Sequence, residues 1–225
     1  VLRMKKTGFT LAEVLVTLGI VGIISALVIP TFTAQTQAAK IGPALGKAVA
    51  EFEQATKAML DDAQVSAVSR ATVTATGLCG TNTTLTTRGC FVEYLGHHMK
   101  GNAAGGGVGV PLVFTTSNGM TYTFPGIVVP GRPTDNSMAH RRTIGNGLNG
   151  ITIDINGESG PNAWARDRFR FDVMDDGSLR PWGFSGETTS DNRWTNACQK
   201  DEKPTTPQYC AGHVMENGLK AEYKL

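Results

Sequence analysis

The chain has 225 residues and a formal net charge of +2 at pH 7, enough for one domain beyond a long helix. Arg3, Lys5 and Lys6 supply three of the positive charges, so the remainder sits near −1 and lacks the basic footprint of a nucleic-acid-binding domain. Aromatics are few, and the glycines gather in the second half, which suits a modest sheet with long loops.

A short basic leader, VLRMKKTG, precedes the run from Phe9 to Phe32, FTLAEVLVTLGIVGIISALVIPTF. That run is about 24 residues, roughly 36 Å as a helix, and crosses a bilayer core of ~30 Å. Its one charge is Glu13, and the next charged residue is Lys40. A secretory signal also joins a basic start to an apolar run. This run is too long for one, however, and no A-x-A cleavage site follows it. A carboxylate inside it is also costly in lipid. Such a group requires a partner.

The residues Lys5-Lys6-Thr7-Gly8-Phe9-Thr10-Leu11-Ala12-Glu13-Val14-Leu15 resemble the processing motif of type IV prepilins and pseudopilins. The resemblance implies that a membrane peptidase cuts between Gly8 and Phe9, and that the new Phe9 amine is methylated. It also makes Glu13 the fifth residue of the mature chain. Pro30 matches a proline of the family's helix, whereas Ala12 stands where isoleucine or valine is commoner. Gly8 leaves the junction free of a side chain, and the basic leader stays cytoplasmic by the positive-inside rule. Glu13 then pairs with the Phe9 amine, its own or a neighbour's, and the pair sets register during assembly. Gly19, Gly22, Ser25 and Ala26 suit close helix contacts.

Beyond Pro30 the helical period continues in amphipathic form. Ile41, Leu45, Val49, Phe52 and Met59 share one face, with Lys47, Glu51, Glu53 and Lys57 largely elsewhere. One helix to about residue 70 is expected, kinked or loosened at Pro30 and Gly42-Pro43. The alternative is two helices with a break at Gly42-Pro43. From Ala71 to Gly109 the pattern dissolves. Phe91, Val92, Tyr94 and Leu95 suggest a short packed turn or helix. The run from Gly105 to Gly109 is a loop, without the Lys-Ser/Thr of a phosphate loop.

Strand signals follow. Leu112–Thr115 and Met120–Phe124 flank Asn118-Gly119, a hairpin turn. Ile151–Ile155 and Phe169–Val173 alternate, and Asp176-Gly177 turns the chain towards Leu179. One long helix followed by antiparallel strands is an α+β layer. The resemblance implies the same shape, a helix whose second half packs on a small antiparallel sheet. Two further segments resemble pilin-like bodies: Asp154 to Asn162 with Asp167, Phe169 and Phe171, and Tyr209-Cys210-Ala211 with Met215 to Lys220.

Asp154, Asn156 and Glu158 alternate like oxygen ligands, and some pseudopilins bind calcium in C-terminal loops. The bidentate Glu of an EF-hand is missing, and Asn-Gly with Gly-Pro is first of all turn chemistry. No cofactor is expected, with calcium the one metal left open. Cys79, Cys90, Cys198 and Cys210 lack zinc-ligand spacing. Their even number suits disulfides in an exported body, with three connectivities open. Two local loops, Cys79–Cys90 and Cys198–Cys210, are preferred, and a C-terminal disulfide loop is what the resemblance implies. His97-His98 reads as exposed polar residues, and His140-Arg141-Arg142 as a solvated loop. Trp164, Trp182 and Trp194 read as packing anchors. Gly183-Phe184-Ser185-Gly186 lacks the last glycine of a nucleophile elbow, so no catalytic set is expected.

The expected organisation is a leader at 1–8, a transmembrane helix at 9–32, an amphipathic continuation at 33–70 and an extracytoplasmic body at 71–225. The function implied is a non-enzymatic subunit of a type IV pilus-like filament. It would be single-pass in the inner membrane before assembly, and extracytoplasmic or on the cell surface afterwards. The implied partners are other pilin subunits, in a homo- or hetero-filament, the prepilin peptidase and an inner-membrane assembly platform. Nucleic acid is not expected. The alternatives are a pseudopilin of a type II secretion system and, in another class, a membrane-anchored extracytoplasmic binding domain or enzyme.

Overall fold

A computed structural model describes residues 9–68, 87–106, 110–125, 150–183, 198, 200 and 202–223, and for 29–35 and 87–88 the backbone alone. The chain divides into two compact units, Val1–Gln37 and Ala38–Leu225. Helix α1, Leu11–Asp62, contributes to both.

In the first unit the helix is apolar all round. Leu11–Val28 has a mean hydropathy of 2.4, and among the described residues none of that window is buried. In the second unit the helix becomes amphipathic. Ile41, Leu45, Val49, Phe52 and Met59 are all buried, joined by Ala48, Ala55 and Leu60 at the same spacing. The one continuous helix is found, and the alternative break at Gly42-Pro43 is not, because both residues lie inside α1. Gly42 serves another purpose: a Cβ on it would overlap the Leu219 carbonyl. The C-terminal segment therefore lies directly against the helix backbone.

The helix stops at Asp62, short of residue 70. The Val65 N–H reaches back to the Leu60 carbonyl at 3.1 Å, and Gln64 takes φ +51°. That is a left-handed closure of the kind usually marked by Gly or Asn. With glutamine there, no stop signal is written in the sequence.

Helix α2, Thr87–His98, places Phe91, Val92 and Leu95 in the core. Six strands follow: β1 (Gly101–Gly105), β2 (Leu112–Thr116), β3 (Thr121–Phe124), β4 (Ile151–Asp154), β5 (Arg168–Val173) and β6 (Leu179–Pro181). They form one sheet in chain order, each antiparallel to the next. Helix α3, Cys210–Glu216, ends the described elements. The architecture is α+β and pilin-like. Strand β1 was not foreseen, since Gly-Asn-Ala-Ala-Gly has little strand propensity and no apolar alternation.

The core lies between α1, α2 and the inner face of the sheet. Phe52 is its centre, with ring centroids 6.0 Å from Phe91, 5.5 Å from Tyr122 and 6.5 Å from Phe124. The Tyr122 hydroxyl donates to the Ala48 carbonyl at 2.8 Å, so the one polar atom brought in by that ring is satisfied. Glu53 reaches the opposite edge of the sheet and accepts from the Leu179 N–H at 2.9 Å.

Candidate functional site: the N-terminal assembly segment

Phe9 stands 89% exposed at the head of α1, and Gly8 lies outside the described residues. Glu13 sits in the first turn. Its carboxylate Oε2 accepts from the Thr10 N–H and from the Thr10 hydroxyl, each at 2.8 Å, and the Glu13 N–H donates to Thr10 Oγ1 at 3.3 Å. This is a capping box, in which Thr10 and Glu13 satisfy each other's helix-start donors. The signal, Thr-x-x-Glu ahead of an apolar run, is present in the sequence beside the charge that makes Glu13 conspicuous. A carboxylate at the helix N-terminus also meets the positive end of the helix dipole. Glu13 therefore has a local partner before any neighbour arrives.

Along the rest of this segment the side chains face outward. Leu11, Leu15, Leu18, Ile23 and Leu27 are all more than 60% exposed, and a Cβ at Gly19 or Gly22 would meet nothing within 4 Å. An uncovered apolar helix of this length is unsuited to water. It suits a bilayer or a bundle of similar helices.

Residues 3–29 match the family model of the prokaryotic N-terminal methylation motif, which is the prepilin signature shared by type IV pilins and pseudopilins. No curated protein and no solved structure matches the chain. The motif and the apolar helix together support a pilin-like or pseudopilin precursor, and they suit a single-pass membrane anchor. They point to a structural protein that assembles with other pilin subunits after prepilin peptidase processing.

The Asp154–Asn162 segment is a packed turn. Asp154 Oδ1 accepts from the Asn156 N–H at 3.3 Å and Oδ2 from Arg168 Nε at 3.0 Å. Asp167 accepts from the Asn162 and Ala163 N–H groups at 2.7 and 2.6 Å. The Asn162 amide, oriented to satisfy its neighbours, donates to Asp154 Oδ2 at 3.0 Å and to the Gly157 carbonyl at 2.8 Å. Gly157 has φ +62°, and a Cβ there would overlap the Gly119 carbonyl. Asp154, the first of the alternating acids, thus spends its oxygens on a guanidinium, an amide and an N–H group. Among the described residues no group of three His, Cys, Asp or Glu side chains converges on one point.

Cys198 and Cys210 form a disulfide, with Cα atoms 5.4 Å apart. Cys90 is also disulfide-bonded, and Cys79, its expected mate, lies outside the described residues. Trp164 and Trp182 sandwich the Arg170 guanidinium, each at 4.7 Å, and Trp182 stacks on Tyr209 at 5.3 Å. They are packing anchors of the C-terminal layer. Trp194 and His140-Arg141-Arg142 fall outside the described residues.

Proposed function

We propose that this chain is the precursor of a structural subunit of a type IV pilus-like filament, cleaved after Gly8 and assembled through the helix that begins at Phe9. The observation that carries the reading is the coincidence of the methylation motif with an apolar helix that no described residue covers. Neighbouring helices in a filament would supply the missing cover. Small residues at Gly19 and Gly22 leave room for close approach. After cleavage the Phe9 amine and the Glu13 carboxylate lie within one turn of each other. Each is then positioned to pair with the other's copy on an adjacent subunit, displacing water from both. The reading requires no cofactor and no catalytic group. The preferred pairing of Cys90 is with Cys79.

The experiment is intact-protein mass spectrometry of the chain co-expressed with a prepilin peptidase. The expected mass is that of a chain starting at Phe9 with one added methyl group. An N-terminus between Gln35 and Lys40 would mean that the segment is an ordinary signal peptide. Sheared surface fractions then separate the two family roles: long filaments containing this chain support the pilus subunit, and their absence beside normal processing supports a pseudopilin.

A further inference from the structure

The two edges of the sheet are finished differently. At the β6 edge, the Met174 N–H bonds to the Ser178 carbonyl and the Trp182 N–H to Arg170. In an antiparallel ladder such bonding pairs alternate, so Arg180 bonds to β5, and Leu179 and Pro181 point outward. The Leu179 N–H is taken by Glu53, and Pro181 has no N–H. That edge is blunted by the usual devices, a carboxylate and a proline.

The β1 edge has neither. The Ser117 N–H bonds to the Lys100 carbonyl, and the Gly106 N–H to Pro111. With the register Gly101↔Thr116 to Gly105↔Leu112, the bonding residues of β1 are Asn102 and Ala104. Ala103, at the middle of the strand, therefore turns its N–H and C=O groups away from β2, while Gly105 leaves the extended path at φ +89°. All five residues of β1 are exposed, the strand carries no charge or proline, and no described residue pairs with its outer side.

We infer that β1 is a self-pairing edge, and that its occupant is β1 of a second copy of this chain. The strand is centred on Ala103. In an antiparallel pair centred there, Ala103 exchanges both its N–H and its C=O with Ala103 of the second copy, and Gly101 lies opposite Gly105. No side chain on the strand is larger than asparagine, so nothing holds the two backbones apart. The blunted β6 edge stops further strand addition, and the contact closes at two copies. Neighbours along one polar filament meet through unlike surfaces, whereas this contact is two-fold. It therefore joins subunits of two filaments, or two subunits in the membrane before assembly. Only that placement rests on the filament reading; the pairing does not. A five-residue contact is weak for one pair and gains strength where many copies are held in rows.

The test uses the full chain in detergent micelles under mild oxidation. In the two-fold register, Asn102 faces Ala104 of the second copy as a non-hydrogen-bonded pair, with Cα atoms about 4.5 Å apart, within disulfide reach. Residue 102 opposite its own copy is offset by two positions, beyond that reach. Mixing Asn102→Cys with Ala104→Cys chains should give disulfide-linked dimers in several-fold excess over either variant alone. Ala103→Pro, which removes an outward N–H and leaves the β2 ladder intact, should abolish the excess without changing the melting temperature. Ala103→Lys should abolish it too, and mixing Ala103→Lys with Ala103→Glu chains should restore it. Equal yields in all three cysteine combinations would overturn the proposal. So would persistence of the excess in the proline variant, or a cross-link from position 102 to another segment of the chain.

Discussion

One substitution separates the cap that Glu13 makes from the charge pairing proposed for it. Its carboxylate completes the capping box with Thr10, and its charge is the one available to pair with a cleaved amine. Glutamine retains a carbonyl for the cap and removes the charge. Glu13→Gln should leave insertion and cleavage at Gly8 intact, because a neutral side chain enters lipid more readily. Filament yield, measured against cleaved subunit in the membrane, should fall sharply, and wild-type yield would show that Glu13 does not act through its charge. Gly42 makes a second contrast. Alanine there gains about 1 kcal/mol of helix propensity but places a Cβ on the Leu219 carbonyl. Forced overpacking costs typically about 1–3 kcal/mol, so Gly42→Ala should lower the melting temperature of the body. Gly22→Ala, where a Cβ meets nothing within the chain, should not. A defect from Gly22→Ala would therefore report on helix neighbours in the assembly.

At the scale of elements, the C-terminal segment is a strap fixed at three points. The Cys198–Cys210 disulfide holds the start of α3, Leu219 lies on Gly42 and Gly46, and the buried Tyr223 donates its hydroxyl to the Ala165 carbonyl at 2.7 Å. Closing a loop of this length stabilises by about 3 kcal/mol in the chain-entropy account. A Cys198→Ser/Cys210→Ser double variant should lose about that much in urea unfolding, with α3 and the strap most exposed to proteolysis. Non-reducing peptide mapping of the exported wild type should recover Cys198–Cys210 and, separately, Cys79–Cys90. Crossed pairing between the two loops would refute the two-loop arrangement.

At the scale of the molecule, each unit has its own relation to solvent. Among the described residues, the first buries none of its apolar span, and the second has a core reaching from Ile41 to Tyr223. A truncated chain beginning near Thr36 should therefore be soluble and folded, with a strand signal in circular dichroism and a cooperative thermal transition. Aggregation without that signal would mean that the apolar half of α1 is needed to complete the core.

The processing motif, the apolar span and the buried face from Ile41 to Met59 were legible in the sequence because each is local. A cleavage junction, a lipid-facing run and a 3.6-residue period are all written within a few turns of chain. The Asn118-Gly119 hairpin and the Asp176-Gly177 turn were legible for the same reason, since positive φ at glycine is a local demand. What the tertiary structure decided depends on residues far apart. Gly42 reads as a helix breaker until Leu219 is seen lying on it. The partner of Asp154, Arg168, is fourteen residues away and is named only by the β4–β5 register. The strand at Gly101–Gly105 has no signal of its own, because it is a strand only by pairing with β2. Its outward edge became visible only once the ladder showed which way the Ala103 N–H points.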